Sequence, residues 1–160
     1  MKTTTPTKDS LHYAATAALF LLWVITLVYF PDLPEEIPIH YNNRGEADGY
    51  GSRFTSLILP SLGTLIYFIM PLATKLPKNL NTGNWPNPSN PEQEQLSEEL
   101  LLSLRTFLLV GITYLNWAGM RTALGQQAGL GEWFTPVFLG GLFVLVGYYV
   151  LLIASAGKST

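Results

Sequence analysis

Residues 13–30 read YAATAALFLLWVITLVYF, and apart from the borderline His12 no formally charged residue falls between Asp9 and Asp32. A helix that crosses a bilayer needs about 20 such residues at 1.5 Å each. A cleavable signal peptide carries a shorter apolar stretch, roughly 7–15 residues, and ends in a small-x-small motif. This run is longer and ends in PDLPEE, so it reads as a retained first membrane helix.

The rest of the composition agrees. Of 160 residues, 48% are hydrophobic and only 12% charged, about half the charge of an average soluble domain. Net charge is −2, so no basic surface is available to neutralise phosphates, and nucleic acid is excluded as a partner. The absence of cysteine removes disulfides, thiolate catalysis and Cys-based metal sites.

Three further uncharged or nearly uncharged stretches follow. The expected spans are 12–30, 54–74, 100–120 and 134–156, forming an all-α integral membrane protein, a four-helix transmembrane bundle in a single domain over 1–160. Its first part is a helix-loop-helix over 12–74 with the loop at 31–53, and its second a helical pair over 91–156. Pro60 predicts a kink in the second span, and Pro71 lies near its end. Arg105 interrupts the third span; near the span's start it can snorkel to the headgroups. Asn90 is a candidate N-cap with Pro91 at N1, and acidic residues at 92, 94, 98 and 99 suit the first turns of a helix. Asn116 is the strongly polar side chain of that span and suits a hydrogen bond to another helix.

No carboxylate lies inside the four spans, which argues against a secondary transporter. Gly140, Gly147 and Ala154 recur every seven residues on the fourth helix, as do Gly111 and Ala118 on the third. These small faces are expected to meet each other or a second copy of the chain. With the N-terminus inside, Lys2, Lys8, Lys75, Lys78, Lys158 and Arg105 fall on the cytoplasmic side, against Arg44, Arg53 and Arg121 outside. That asymmetry places both termini in the cytoplasm of a multi-pass cell-membrane protein. Trp117 and Trp133 then flank the external interface.

The loop from Pro31 to Arg53, PDLPEEIPIHYNNRGEADGYGSR, holds the densest polar cluster of the chain. Pro31, Pro34 and Pro38 keep their preceding residues extended and withhold backbone donors. Gly45, Gly49 and Gly51 permit tight turns. Between them lie Glu35, Glu36, His40, Asn42, Glu46 and Asp48. His40 and Asp48 are the expected contact or loop-organising pair, with Glu35, Glu36 and Asn42 beside them and Pro34, Pro38, Gly45 and Gly51 as the frame. The bland alternative is a linker whose polar side chains bond local backbone. A metal site would need His40 with at least two of Glu35, Glu36, Glu46 and Asp48 brought together, and whether a metal binds stays open. Ser52 and Ser56 lie nearby, but no nucleophile elbow or Ser-His-Asp arrangement is present, so the expectation is binding without catalysis and without a cofactor. A small transporter or a metal-binding membrane enzyme subunit is the alternative.

The pattern P-x-L-P-x-x-I-P-x-H-x-x-x-x-G-x-x-D-x-x-G, carried by Pro31, Leu33, Pro34, Ile37, Pro38, His40, Gly45, Asp48 and Gly51, resembles a domain of unknown function. It is the domain found near the N-terminus of SdpI-type bacterial immunity proteins. Asn42 fits that family's H-aromatic-N run, while Arg53 stands where a lysine is usual. The likeness covers roughly Leu19 to Met70. It implies a bacterial multi-pass membrane protein and, for SdpI-type members, protection against a secreted toxin coupled to a membrane-sequestered repressor. Those proteins have about six spans, whereas four are expected here.

Overall fold

Apolar runs of this length satisfy their backbone only as helices, and four form. The structure, a computed structural model, describes residues 8–73 and 90–157. Helix α1 spans Lys8–Tyr29 and passes through a short 3-10 turn, Phe30–Asp32. Pro31 and Pro34 disfavour α geometry at the residues before them and turn the chain off the helix axis. Strands β1 (Glu36–Tyr41) and β2 (Ala47–Ser52) follow as an antiparallel hairpin. A second 3-10 turn, Arg53–Leu57, leads into α2, Ile58–Ala73. The last two helices are α3, Pro91–Ala123, and α4, Phe134–Ala156. All four, taken with the 3-10 turns that flank α1 and α2, are long and apolar enough to cross a membrane.

The expected all-α architecture therefore needs correction at 31–53, which is a β-hairpin. Of its glycines only Gly45 uses left-handed backbone, with φ of +75°. Gly49 and Gly51 are strand residues opposite His40 and Ile37, and make no turn. Nor does Pro60 sit where a kink would arise. It is the third residue of α2, where a missing N–H costs nothing. Pro71 lies near the helix end as expected.

Helix α3 is the centre of the molecule, touching α1, α2, α4 and β1. Asn90 caps it by accepting from the Gln93 amide at 2.9 Å, with Pro91 in the first turn. The Asn116 amide donates to Thr26 Oγ1 on α1 at 3.0 Å, with both side chains buried. Trp23 on α1 donates to Thr64 on α2 at 3.0 Å. Lys8 pairs with Glu98, tying the start of α1 to α3.

Helix α4 packs chiefly on α3, where Gly111 and Ala118 face α4 as expected but the small face of α4 does not meet them. A Cβ at Gly140 or Gly147 would meet nothing within 4 Å, so those residues face outward. Gly111 instead receives the Phe138 ring, so closely that an added Cβ would stand only 2.2 Å from Phe138 Cε2, and Gly141 faces Phe107. Small residues here accommodate aromatic rings, and Phe107, Phe138, Phe134 and Tyr114 stack in series along the seam. At the far end of α4, Asn90 Nδ2 and Gln93 Nε2 donate to the carbonyls of Ala156 and Ile153, both at 2.9 Å. The start of α1, the start of α3 and the end of α4 thus share one end of the bundle. The hairpin and the α3–α4 loop share the other, with Trp117 and Trp133 beside them. Lys2, Lys75, Lys78 and Lys158, which weigh most in the charge asymmetry, lie outside the described residues, as does most of the proline- and asparagine-rich stretch Lys75–Pro91, expected as a loop.

Arg105 departs from its expected place. Its side chain is 1% exposed and is turned inward to the junction of α1, α2 and α3. There its guanidinium lies 3.2 Å from His12 Nδ1 and 5.0 Å from the Tyr67 ring centroid. Neighbouring helices offer it an imidazole and an aromatic face, so it need not reach the headgroups. Glu99, just outside the expected span, is 3% exposed.

Candidate functional site: a docked hairpin

Three tip residues, Asn43, Arg44 and Gly45, reverse the chain between the strands. The Gly45 amide donates to the Asn42 carbonyl at 2.9 Å, and Gly45 follows in left-handed geometry. This is the turn-plus-bulge that three-residue hairpins favour. Asn42 organises it: its Oδ1 accepts from the amides of Arg44 at 2.8 Å and Glu46 at 3.1 Å, and its Nδ2 donates to the Glu46 carboxylate at 2.8 Å.

The hairpin is fixed at base and tip. At the base, Leu33 and Ile37 pack against Met120 of α3, with Ile25 and Tyr29 alongside. At the tip, the Leu130 amide in the α3–α4 loop donates to the Gly45 carbonyl at 2.8 Å, and Glu46 forms a β-bridge with Gly129. The approach is close enough that a Cβ on Gly129 would sit 2.0 Å from the Gly45 oxygen. The loop that receives the tip is built from glycines at 125, 129 and 131, all with positive φ.

On the exposed face His40 Nδ1 lies 2.5 Å from Asp48 Oδ1, with side-chain exposures of 72% and 44%. Gly49, opposite His40, leaves room for the imidazole: a Cβ there would lie 2.9 Å from His40 Cβ. With Nδ1 donating to the carboxylate, the ring orientation is fixed and Nε2 is its remaining polar atom. His40, Asp48 and Asn42 line one open depression of about 410 Å³, together with Tyr41, Asn43 and Arg44. Glu35 and Glu36 are exposed and stand outside it. Pro34 precedes β1 and Pro38 lies within it, paired with Tyr50. Among the described residues no three His, Asp or Glu side chains gather as metal ligands. Ser52 accepts from the Phe54 amide and Ser56 donates to the Arg53 carbonyl, so both hydroxyls serve the 3-10 turn.

The opposite face of the hairpin roofs a second cavity of about 400 Å³, between β1, the start of α2 and the hairpin end of α3. Ile37, Ile58, Leu59, Leu115 and Met120 line it, with Tyr41, Asn116, Thr55 and Ser56 as polar members. The Tyr41 hydroxyl is buried with no hydrogen-bond partner. Burial pushes its pKa above the ordinary 10.0, against a smaller lowering by the Thr122 side chain, which is near the phenol but outside hydrogen-bond geometry and donates instead to the Ala118 carbonyl at 2.8 Å. Sequence reading missed Arg44 and Tyr41; the signal for Arg44 was its position in the tip, and for Tyr41 its place as the aromatic of the H-aromatic-N run.

A search of known proteins finds an uncharacterised protein of Archaeoglobus fulgidus, 41% identical over 59 residues, which are 37% of this chain and 32% of that protein. The chain thus spans about a third of the length of the curated relative it matches. No solved structure matches it significantly. Residues 17–64, from the third turn of α1 through the whole hairpin into α2, match the model of a family described as a domain of unknown function, DUF1648.

Proposed function

We propose that the chain is a multi-pass membrane protein that works by binding, through the hairpin face carrying His40, Asp48 and Asn42, with no catalysis. The observation that carries this reading is the double anchorage of the hairpin, at Leu33 and Ile37 and again at Gly45. A surface held at both ends presents its polar groups without an ordering cost on binding. The hairpin lies outside the cell and both termini in the cytoplasm, an orientation supported by the lysine and arginine count. The resemblance of the PxLPxxIPxH…G…D loop to SdpI-type proteins supports an immunity role. The ligand would then be a secreted toxin, and a membrane-sequestered repressor a signalling partner.

Expression of the protein in a sensitive bacterium is expected to protect against the cognate toxin. His40→Ala and Asp48→Ala are each expected to abolish protection at unchanged membrane abundance. Full protection by both variants would reduce the hairpin face to a linker and overturn the proposal. Orientation is checked by labelling cysteines placed at Glu46 and Ser89 with an impermeant maleimide in intact cells; labelling at Ser89 but not Glu46 reverses the topology.

A further inference from the structure

The cavity beneath the hairpin belongs to neither the His40 face nor the helix seams, and its chemistry is unlike both. Its walls are aliphatic: Ile37 and Met120 are buried at 6% and 3% exposure, while Ile39 and Ile58 stand at its rim, 48% and 59% exposed. Ile58 is the first residue of α2 and lies inside the apolar candidate span Arg53–Ala73, so that side of the rim belongs to a segment suited to lipid. Branched aliphatic side chains at such a mouth are satisfied by hydrocarbon and poorly by water. The mouth therefore opens sideways, toward lipid. Inside, the Tyr41 hydroxyl is buried without a partner and Asn116, 3% exposed, lines the wall. Gly119 borders the space, and a Cβ added there would lie in ordinary contact, 3.4 Å, with the Tyr41 oxygen. At about 400 Å³ the volume is at the small end of ligand pockets, about 300–1,000 Å³. It suits one chain, not a whole lipid.

We infer that this cavity receives a single alkyl chain from the leaflet on the hairpin side, with the Tyr41 hydroxyl hydrogen-bonded to an ester or carboxyl oxygen near the head of that chain. The inference rests on the membrane reading of the four helices but not on the immunity reading. The Ser56 hydroxyl on the wall is already bonded to the Arg53 carbonyl, and an aliphatic slot beside one unpartnered buried hydroxyl is the complement of an acyl chain and its carbonyl. A partner protein would need a wider surface.

The test uses the full chain reconstituted in phosphatidylcholine vesicles containing tail-diazirine phosphatidylcholine or, in a separate arm, tail-diazirine palmitate. After irradiation, adducts are mapped by peptide mass spectrometry. Met120 is buried from any surrounding lipid, so adducts there require a chain inside the cavity. Adducts at Met120 and Leu115 in the phospholipid arm assign a membrane lipid, and in the palmitate arm alone a free fatty acid. Adducts in both arms confined to outward residues such as Phe143, Val144 and Leu151 overturn the inference. Gly119→Leu fills the slot and is expected to remove the Met120 adducts while the outward ones persist. Tyr41→Phe keeps the shape and is expected to reduce them about three- to tenfold, the weight of one net hydrogen bond. Gly147→Leu, placed in open space, is expected to label as the parent does. Met120 labelling unchanged in both Gly119→Leu and Tyr41→Phe likewise overturns it.

Discussion

Gly129→Ala is the sharpest test of the docked hairpin. The added Cβ would stand 2.0 Å from the Gly45 carbonyl oxygen, the atom that accepts from the Leu130 amide at 2.8 Å. Both backbones must separate, and that hydrogen bond is lost at about 1 kcal/mol net. Gly129 also has φ of +146°, a conformation that costs a residue with a side chain about 1–3 kcal/mol. The expected loss is about 2–4 kcal/mol. Gly125→Ala in the same loop is the control. Its φ is +69° but nothing lies within 4 Å of an added Cβ, so only the backbone cost of about 1–2 kcal/mol applies. Unfolding of the detergent-solubilised protein by sodium dodecyl sulfate, followed by tryptophan fluorescence, measures both. Trypsin cleavage after Arg44 at the tip supplies a local readout, and is expected to accelerate in Gly129→Ala alone. Equal costs for the two variants, with Arg44 equally resistant in both, would refute the docking.

Asn116→Leu removes the bond to Thr26, whose hydroxyl keeps its bond to the Leu22 carbonyl; unfolding free energy is expected to fall by about 0.6–1.7 kcal/mol in the same assay. Gly111→Ala drives a Cβ into the Phe138 ring and is expected to cost about 1–3 kcal/mol, whereas Gly147→Leu is expected to leave the melting temperature of the monomer unchanged. Arg105→Met keeps the length of a buried side chain and discards its charge; unfolding resistance is expected to hold or rise, and a large drop would show the guanidinium to be structural. The Tyr41 phenol is raised above 10.0 by burial. Above pH 10 the unfolded chain releases this proton while the folded one retains it. Stability is therefore full below pH 10 and declines as pH rises toward the folded value. The decline is measured as the difference between parent and Tyr41→Phe melting curves.

The helices were legible because apolar runs of this length leave the backbone no other option. Asn90 and Pro91 marked the start of α3 for the same local reason, a side chain that accepts from a helix amide. The hairpin was hidden by its own frame. Prolines at 34 and 38 and glycines at 45, 49 and 51 read as loop, although Ile37, Ile39, Tyr41 and Tyr50 are residues that strands prefer. Only the tertiary fold supplies what made the strands pair, namely Met120 beneath one end and the α3–α4 loop at the other. His40 and Asp48 were found as a pair because both lie in the polar cluster and in the family pattern of the loop; the hairpin that brings them to one face was not read. Glu35 and Glu36 were grouped with them by proximity in sequence, which the strand direction undoes. Arg105 was misplaced because sequence shows the depth of a residue in a span but not which way it faces. The outward turn of Gly140 and Gly147 was hidden likewise.

The contact between Gly45 and Leu130 also sets a clock. The two residues are 85 positions apart, so the tip of the hairpin is made long before the loop that holds it. At about 5–20 residues per second, the tip waits roughly 4–17 seconds. Met120 comes 75 positions after Gly45, so for most of that interval Leu33 and Ile37 lack their α3 floor too. A lone two-stranded hairpin is marginal in water. What accompanies it is the base: Phe30 against Phe54, ring centroids 5.8 Å apart, with the Arg53 guanidinium over both. These three side chains flank the hairpin on segments made well before α3, so their contacts need nothing from the later half of the chain. The clasp at Gly45 can close only after α3 and Leu130 have been made, and it ties the early half of the chain to the late one.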